Sequence, residues 1–435
     1  MIPFTKLILG NGLQVVVHEN HHLPVVAVNI WYHVGSRNEA PGRSGLAHLF
    51  EHLMFKGAQH QPRGFFEPLQ EVGASLNGST SADRTNYWSV VPAGAVERAL
   101  WMEADRMGWL VPALSRERFE TEREVVLNER RQSYENRPYG LASFALAEAI
   151  YPAGHPYHWP TIGYPSDLRA ATVDDARAFF ERYYHPANAS LAVAGDIDTE
   201  TAFAEVERLF GDIPAGPPLE PEGTRPAAVA QARRLILEDR VELPRLYLAF
   251  ASPALFADDD AVLDVAADLV ANGKTSRLYR TLVHDDRRAA GLGAGQGSRE
   301  LGSLFQIVVT AAPGVTLEEL RLAVFTELDR LATQGPSESE LERARVMAES
   351  SFLCRLQTLG GFGGTADQLN AYNIYTGSPG YFDKDLDRYL RVTTADVQRV
   401  VRQYLTVDRV VMLSVVPQGQ RQSALADSEP AVVST

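Results

Sequence analysis

An internal repeat constrains the fold of this chain more than any other feature, because it divides the 435 residues into two related halves. An apolar stretch followed by Leu-Pro occurs at residues 13–24 and again 220 positions later, at 233–244. A helix-like segment leading into an apolar strand occurs at residues 172–194 and again 221 positions later, at 393–415. Each pattern alone is common in unrelated proteins, but two matches at nearly one offset predict a duplicated domain.

A proline-rich segment marks the boundary between the halves. Residues 211–226 contain five prolines among small and acidic residues, which favours neither helix nor strand. Within each half, β-branched strands mix with long helical stretches, so we expect an α+β fold in which helices pack on a mostly antiparallel sheet. The predicted organisation is an N-terminal domain at 1–210, a linker at 211–230, a homologous C-terminal domain at 231–418 and a frayed tail at 419–435.

Composition excludes several classes of function. The chain has 41 basic and 55 acidic side chains, a net charge of −14, whereas a nucleic-acid-binding protein needs a basic surface. Its single cysteine, Cys354, excludes an internal disulfide and a cysteine-based zinc finger. No stretch approaches the roughly 20 apolar residues of a membrane span, and the N-terminus lacks the pattern of a secretion signal. We expect a soluble protein of the cytoplasm or the periplasm. No P-loop or dinucleotide fingerprint supports a phosphate-dependent enzyme.

One motif in the first half is suited to binding a metal ion. In the sequence His-Leu-Phe-Glu-His, His48 and His52 lie four positions apart, so a helix would place both imidazoles on one face, within reach of one metal ion. Glu51 lies beside them, where it can act on a water molecule at that metal. Ser44 is a candidate N-cap of this helix, and Gly57 is a candidate stop. The alternative is a pair of ordinary helix histidines, which this spacing disfavours.

The wider segment resembles a known family. The order His-x-x-Glu-His reverses the commoner His-Glu-x-x-His and is typical of the inverzincins. Residues 45–57, Gly-Leu-Ala-His-Leu-Phe-Glu-His-Leu-Met-Phe-Lys-Gly, resemble the pitrilysin family of insulysin-like and mitochondrial-processing-peptidase-like zinc metallopeptidases, and the duplication and linker agree. The resemblance implies a short two-domain subunit that binds one zinc ion per chain and hydrolyses short or unfolded peptides. In it, His48 and His52 would be zinc ligands and Glu51 the general base.

A catalytic zinc site normally has three protein ligands and an open position, so a third ligand is needed. The acidic segment at 117–130 matches the family's downstream ligand segment, and the resemblance assigns the third ligand to Glu129, 77 residues after His52. Glu122 lies seven positions earlier on nearly the same helical stripe, and we expect it to orient the ligands or hold a proton. Glu124 and Glu135 are weaker alternatives to Glu129, as is Glu122 itself.

A third segment, residues 73–87, resembles the strand that lies beside the active site in this family and pairs with the substrate backbone. Asn77 and Gly78 occupy the matching positions, and we expect the small glycine to let a peptide approach closely. The alternative is a polar loop that leads into a strand.

One element of the family pattern is missing. Many members carry an arginine and a tyrosine, seven residues apart, that bind substrate and stabilise the oxyanion after a Ser-Arg-Leu-Tyr-like segment. Here that segment is present at 276–279, but Val283 and Ala290 fall at the positions of the pair. A chamber in this family needs four such domains and this chain has two, so our hypothesis is a heterodimer whose second, homologous subunit supplies the pair. The alternatives are a homodimer that uses other donors, such as His284 or Arg287, and a non-catalytic structural subunit.

Overall fold

The computed structural model describes residues 2–434, so the first residue of the predicted N-terminal domain and the last residue of the predicted tail lie outside it. The first half contains, in chain order, β1 (Thr5–Ile8), β2 (Gln14–Glu19), β3 (Val25–Tyr32), α1 (Leu46–Met54), α2 (Phe66–Gln70), β4 (Ser75–Thr80), β5 (Thr85–Pro92), α3 (Val96–Ala113), α4 (Arg116–Arg130), α5 (Ala142–Ile150), α6 (Pro165–Ala170), α7 (Val173–Tyr183), β6 (Ala189–Gly195) and α8 (Thr199–Phe210). The second half contains β7 (Arg233–Asp239), β8 (Arg245–Ser252), α9 (Asp260–Val270), β9 (Ala289–Gly297), β10 (Ser303–Ala311), α10 (Leu317–Gln334), α11 (Glu338–Arg355), α12 (Thr365–Thr376), α13 (Phe382–Leu390), α14 (Thr394–Tyr404), β11 (Val411–Pro417) and β12 (Glu429–Pro430).

Each half forms one six-stranded sheet covered by helices, which confirms the predicted α+β class with two homologous domains. The strand order is β1-β2-β6-β3-β5-β4 in the first domain and β12-β7-β11-β8-β10-β9 in the second. In the first sheet only β2 and β6 pair in parallel, and in the second only β7 pairs in parallel, with β11 and β12. The two repeated sequence patterns supply the equivalent strands β2 and β7, and β6 and β11, and the equivalent strands β3 and β8 follow directly after the first pattern. The chain passes from one sheet to the other through residues 211–232, which form no helix or strand.

The C-terminal segment is docked, so the prediction of a frayed tail is wrong. Strand β12 pairs in parallel with β7 and takes the place in the second sheet that β1 takes in the first. Beyond it, Ser434 donates from its backbone nitrogen and its hydroxyl to the two carboxylate oxygens of Glu148 on α5, each at 2.9 Å. This short polar segment is held by strand pairing within its own domain and, at its end, by Glu148 of the other domain. Among residues 2–434, no helix is long and apolar enough to cross a membrane.

At the interface, one helix of each domain packs on the sheet of the other. Helix α5 of the first domain packs on β11 of the second, and α12 of the second packs on β3 and β6 of the first. The α12 contact has a polar centre at Asp367, which is buried. Its Oδ1 accepts hydrogen bonds from Trp31 Nε1 (2.8 Å) and Asn86 Nδ2 (2.9 Å), and its Oδ2 accepts one from the backbone nitrogen of Gly363 (2.7 Å). Two side chains of the first domain and a backbone N–H of the second therefore depend on one buried carboxylate.

We expect Asp367→Ala to lower the free energy of unfolding by about 3 kcal/mol, because it leaves several buried donors without an acceptor, each at a cost of about 1–3 kcal/mol. Denaturant-induced unfolding would measure the change. Asp387→Ala is the matched control, since Asp387 is exposed and pairs only on the surface with Arg391, and it should change the free energy by less than about 0.5 kcal/mol. If both variants lost the same free energy of unfolding, Asp367 would not be the acceptor that stabilises the interface.

Candidate metal centre

Helix α1 turns its histidines to one side because its other side is buried in the core. Leu46, Leu49, Phe50 and Leu53, the apolar residues of the motif segment, are at most 4% exposed. Phe50 packs against aromatic rings of α7. The helix ends at Met54, three residues before Gly57. This burial fixes the rotation of α1 and so the direction in which the histidines point.

The start of α1 differs from the prediction, because its N-cap is Gly45 and Ser44 is not the cap. Gly45 has φ +92°, a conformation that favours glycine. The exposed backbone N–H groups at the helix start are satisfied by the buried carboxylate of Glu39, which accepts from Gly45 N at 2.9 Å and Ala47 N at 2.8 Å. Ser44 instead donates its hydroxyl to Asp167, at 2.6 Å. An acceptor six residues upstream replaces the local side-chain cap.

The structure brings His48, His52 and Glu129 together, because α4 packs against α1. One ligand atom of each lies within 4.8 Å of the other two. Glu129 Oε2 is 3.2 Å from His52 Nε2 and 3.8 Å from His48 Nε2. Elsewhere in residues 2–434, no other three histidine, cysteine or acidic side chains bring their ligand atoms together in this way.

The donor set fits a zinc ion. Two imidazole nitrogens and a carboxylate oxygen are the protein ligands of one common type of catalytic zinc site. Burial and the neighbouring His52 lower the pKa of His48 to about 4, so its imidazole is neutral at pH 7 and can coordinate a metal. Burial opposes the charge on His52, but the nearby carboxylates of Glu122 and Glu129 raise its pKa to about 9. Metal binding would therefore release a proton from this side chain.

Glu122 lies behind His52, where sequence reasoning placed a supporting residue. Its carboxylate is buried, with Oε2 3.8 Å from His52 Nδ1 and Oε1 3.2 Å from Lys56 Nζ. The alternative third ligands are elsewhere: the Glu124 side chain is exposed, and Glu135 accepts a hydrogen bond from Arg130 Nε at 2.8 Å. Of the four glutamates considered as third ligand, Glu129 and Glu122 are the two whose carboxylates pair with His52.

Glu51 is held by a residue that sequence reasoning missed. The hydroxyl of Thr80, the last residue of β4, donates to Glu51 Oε2 at 2.7 Å. Burial raises the pKa of Glu51. A carboxylate whose pKa is raised and whose one oxygen is held in place is suited to accept a proton and return it. The only sequence signal for Thr80 was the alternation of β4, which puts residues 76, 78 and 80 on one face.

Strand β4, with Asn77 and Gly78, is the edge of the first sheet. Asn77 is exposed and its side-chain oxygen accepts a hydrogen bond from Gly78 N at 2.8 Å. A Cβ at Gly78 would lie 2.9 Å from atoms of both Phe55 and Tyr87. Packing against Phe55 and Tyr87 thus leaves no room for a side chain at residue 78. This reason for a glycine differs from the one predicted, which was close approach by a peptide.

Neither position that would hold the arginine and tyrosine carries a side-chain hydrogen-bond donor. Val283 packs partly buried against the core of the second domain, and Ala290 is exposed at the start of β9. Of the alternative donors, His284 Nδ1 lies 2.8 Å from Asp285, and Arg287 is exposed.

The inverted His-x-x-Glu-His motif at this centre is typical of the inverzincin class. The chain belongs to the M16 (insulinase) peptidase family: residues 14–155 match "Insulinase (Peptidase family M16)" and residues 170–347 match "Peptidase M16 inactive domain". It is 31% identical over 408 residues to "Zinc protease PqqE" of Helicobacter pylori, covering 91% of this chain and 89% of the relative. It is 24% identical to "Mitochondrial-processing peptidase subunit beta" of Lentinula edodes, covering 93% and 88%.

Solved structures agree with this assignment. A protease from Helicobacter pylori superposes with a TM-score of 0.88 at 27% identity, covering 96% of this chain and 100% of that one. The periplasmic protease PqqL from Escherichia coli has the same fold, with a TM-score of 0.79 at 18% identity. The match to PqqL covers 98% of this chain but 49% of that chain, so this chain corresponds to half of the longer protein.

Proposed function

We propose that this chain is a zinc metalloendopeptidase that hydrolyses short or unfolded peptides. The observation that carries the proposal is that the ligand atoms of His48, His52 and Glu129 lie together beside the partly buried Glu51. A metal-binding set next to a proton acceptor is the arrangement that metal-assisted hydrolysis of a peptide bond requires. The relatives named zinc proteases support the same reaction.

The reaction adds water across the peptide bond. Zinc held by His48, His52 and Glu129 would lower the pKa of a bound water and polarise the scissile carbonyl. Glu51 accepts a proton from the attacking water, whose oxygen bonds to the carbonyl carbon. It then returns the proton to the nitrogen of the leaving amine as the C–N bond breaks. Thr80 keeps the Glu51 carboxylate in place, and Glu122 orients the His52 ring.

Strand β4 is the proposed substrate-binding element. Its outer side pairs with no other strand among residues 2–434, and Thr80 at its end contacts Glu51. An extended peptide that added to this edge would run past the metal centre with its backbone hydrogen-bonded at Asn77 and Gly78. Extended binding requires an unfolded substrate, which accounts for the proposed preference.

We infer further that a second, homologous subunit completes the active enzyme. Neither Val283 nor Ala290 has a side-chain hydrogen-bond donor for an oxyanion, and loss of one such donor can cost about 10²–10³ in rate. The inference draws support from the match to half of PqqL and from the relatives named as peptidase subunits. A homodimer using His284 or Arg287 is the alternative, and a non-catalytic subunit is a weaker one because the metal-binding set is intact.

The test measures the zinc content of the purified chain and its hydrolysis of an unfolded peptide, with and without a chelator. The measurement is made on the chain alone and with a homologous subunit that carries the arginine and tyrosine. We expect one zinc per chain, weak hydrolysis alone and a rate about 100-fold higher in the mixture. Zinc-free protein with no activity in either setting would overturn the enzyme assignment. Strong activity of the chain alone would overturn only the hetero-oligomer.

A further inference from the structure

The turn between β4 and β5 is held by the second domain. Asp83, in this turn, is 5% exposed, and its carboxylate accepts hydrogen bonds from Arg37 Nη1 (3.3 Å), from the hydroxyl of Tyr157 and from the backbone nitrogen of Glu300 (3.1 Å). The same tyrosine hydroxyl accepts a hydrogen bond from Leu301 N at 3.0 Å. Glu300 and Leu301 belong to the turn between β9 and β10, so the second domain reaches directly into a turn of the first.

A charge network reinforces this contact. The Arg37 guanidinium is buried, and its Nη1 lies 2.6 Å from the Glu300 carboxylate as well as 3.3 Å from that of Asp83. The ring of His33 lies 2.7 Å from the same Glu300 carboxylate. One buried cation thus pairs with a carboxylate from each domain. Removal of the Glu300 carboxylate takes from Arg37 its shortest ion pair and from His33 its carboxylate partner.

The turn connects this network to the proposed base. Asp83 lies three residues after Thr80, whose hydroxyl contacts Glu51. Between them, Ser81 N donates to Arg84 O (2.8 Å) and Asp83 N donates to the Ser81 hydroxyl (3.2 Å), which makes the turn compact. The turn also accepts hydrogen bonds from Ser36 N, through Ser81 O, and from Arg37 N, through Ala82 O. A displacement at Asp83 would therefore move Thr80.

We propose that Asp83, Arg37, Tyr157 and Glu300 form an interdomain clamp through which the second domain positions Thr80 and, through it, Glu51. The inference rests on the proposed function, because it needs Glu51 to be the base. It gives the second domain, part of which matches the family's "inactive" domain, a role in the chemistry of the first. Glu300 is a positioning residue in this scheme: its carboxylate lies on Arg37 and His33, and its own backbone holds Asp83.

The clamp is tested by Glu300→Gln, which keeps the backbone contact but removes the charge. We expect kcat to fall about tenfold while KM changes by less than about twofold and zinc content is unchanged, since a small misplacement of a catalytic group costs rate more than binding. Glu300→Asp should restore most of the rate. In hydrogen–deuterium exchange followed by mass spectrometry, residues 75–85 should exchange faster in Glu300→Gln than in the wild type.

Lys6→Met is the matched control, because it removes another interdomain contact, the 2.6 Å hydrogen bond from Lys6 Nζ to Asn373, away from the turn. It should alter neither kcat nor exchange at 75–85. With Thr80→Val already in place, Glu300→Gln should cause no further loss. Additive losses, or an equal loss in Lys6→Met, would overturn the clamp, as would unchanged exchange in Glu300→Gln. Failure of the proposed function would appear differently, as no hydrolysis by the zinc-loaded wild type.

Discussion

Glu51→Gln is expected to remove almost all peptide hydrolysis and to leave zinc binding intact. Glutamine has nearly the same shape as glutamate, and its amide oxygen can still accept the hydrogen bond from Thr80. It cannot accept a proton from water or return one to the leaving amine, and the loss of such a group costs about 10²–10⁴ in rate. The ligand atoms of His48, His52 and Glu129 are untouched, so the protein should still contain one zinc per chain.

The measurement is kcat on an unfolded peptide together with zinc content by mass spectrometry. Glu120→Gln is a suitable control, because Glu120 lies on the exposed side of α4 and pairs only with Arg116 among the contacts of its side chain. This variant should retain wild-type activity. A Glu51→Gln protein that kept zinc and more than about a tenth of the wild-type kcat would show that another group acts as the base.

The parts of this molecule that could be predicted are those specified by local pattern. The duplicated sheets follow from apolar strands that recur at one offset, and the sharing of a face by His48 and His52 follows from helical geometry. Glu129 was assigned by resemblance to a family, since spacing alone left Glu122, Glu124 and Glu135 open. Its place beside the histidines depends on how α4 packs against α1.

The parts that could not be predicted depend on partners that are distant in sequence. Ser434 is ordered by Glu148, 286 positions away, and Asp83 is held by Glu300, 217 positions away. Both contacts join the two domains, and no local periodicity reports such a pairing. The prediction that Ser44 caps α1 was wrong for a similar reason. Ser44 is a residue type that often caps helices, but the carboxylate of Glu39 accepts the hydrogen bonds at the helix start instead. Tertiary contacts override a local preference wherever they satisfy the same backbone groups.

Glu129→Ala is expected to weaken zinc binding by more than about 100-fold. Replacement of residues that only support metal ligands already costs about 10–100-fold, and Glu129 would supply one of three coordinating atoms. The comparison with Glu122→Ala is informative, because both carboxylates lie on α4 and both approach His52. If Glu122 orients His52 without coordinating the metal, its loss should weaken zinc binding by about 10–100-fold, less than the loss of Glu129.

The zinc dissociation constant, measured by competition with a chromogenic chelator, separates these assignments. Glu124→Ala provides the control on the same helix, since its side chain is exposed and contacts neither histidine, and it should bind zinc like the wild type. The order Glu129, Glu122, Glu124 in decreasing effect would support a three-ligand site with one supporting carboxylate. A loss at Glu122 as large as that at Glu129 would instead require both carboxylates to coordinate. Because a fourth protein ligand would fill the position that a catalytic centre leaves open for water, that result would favour a structural metal over a catalytic one.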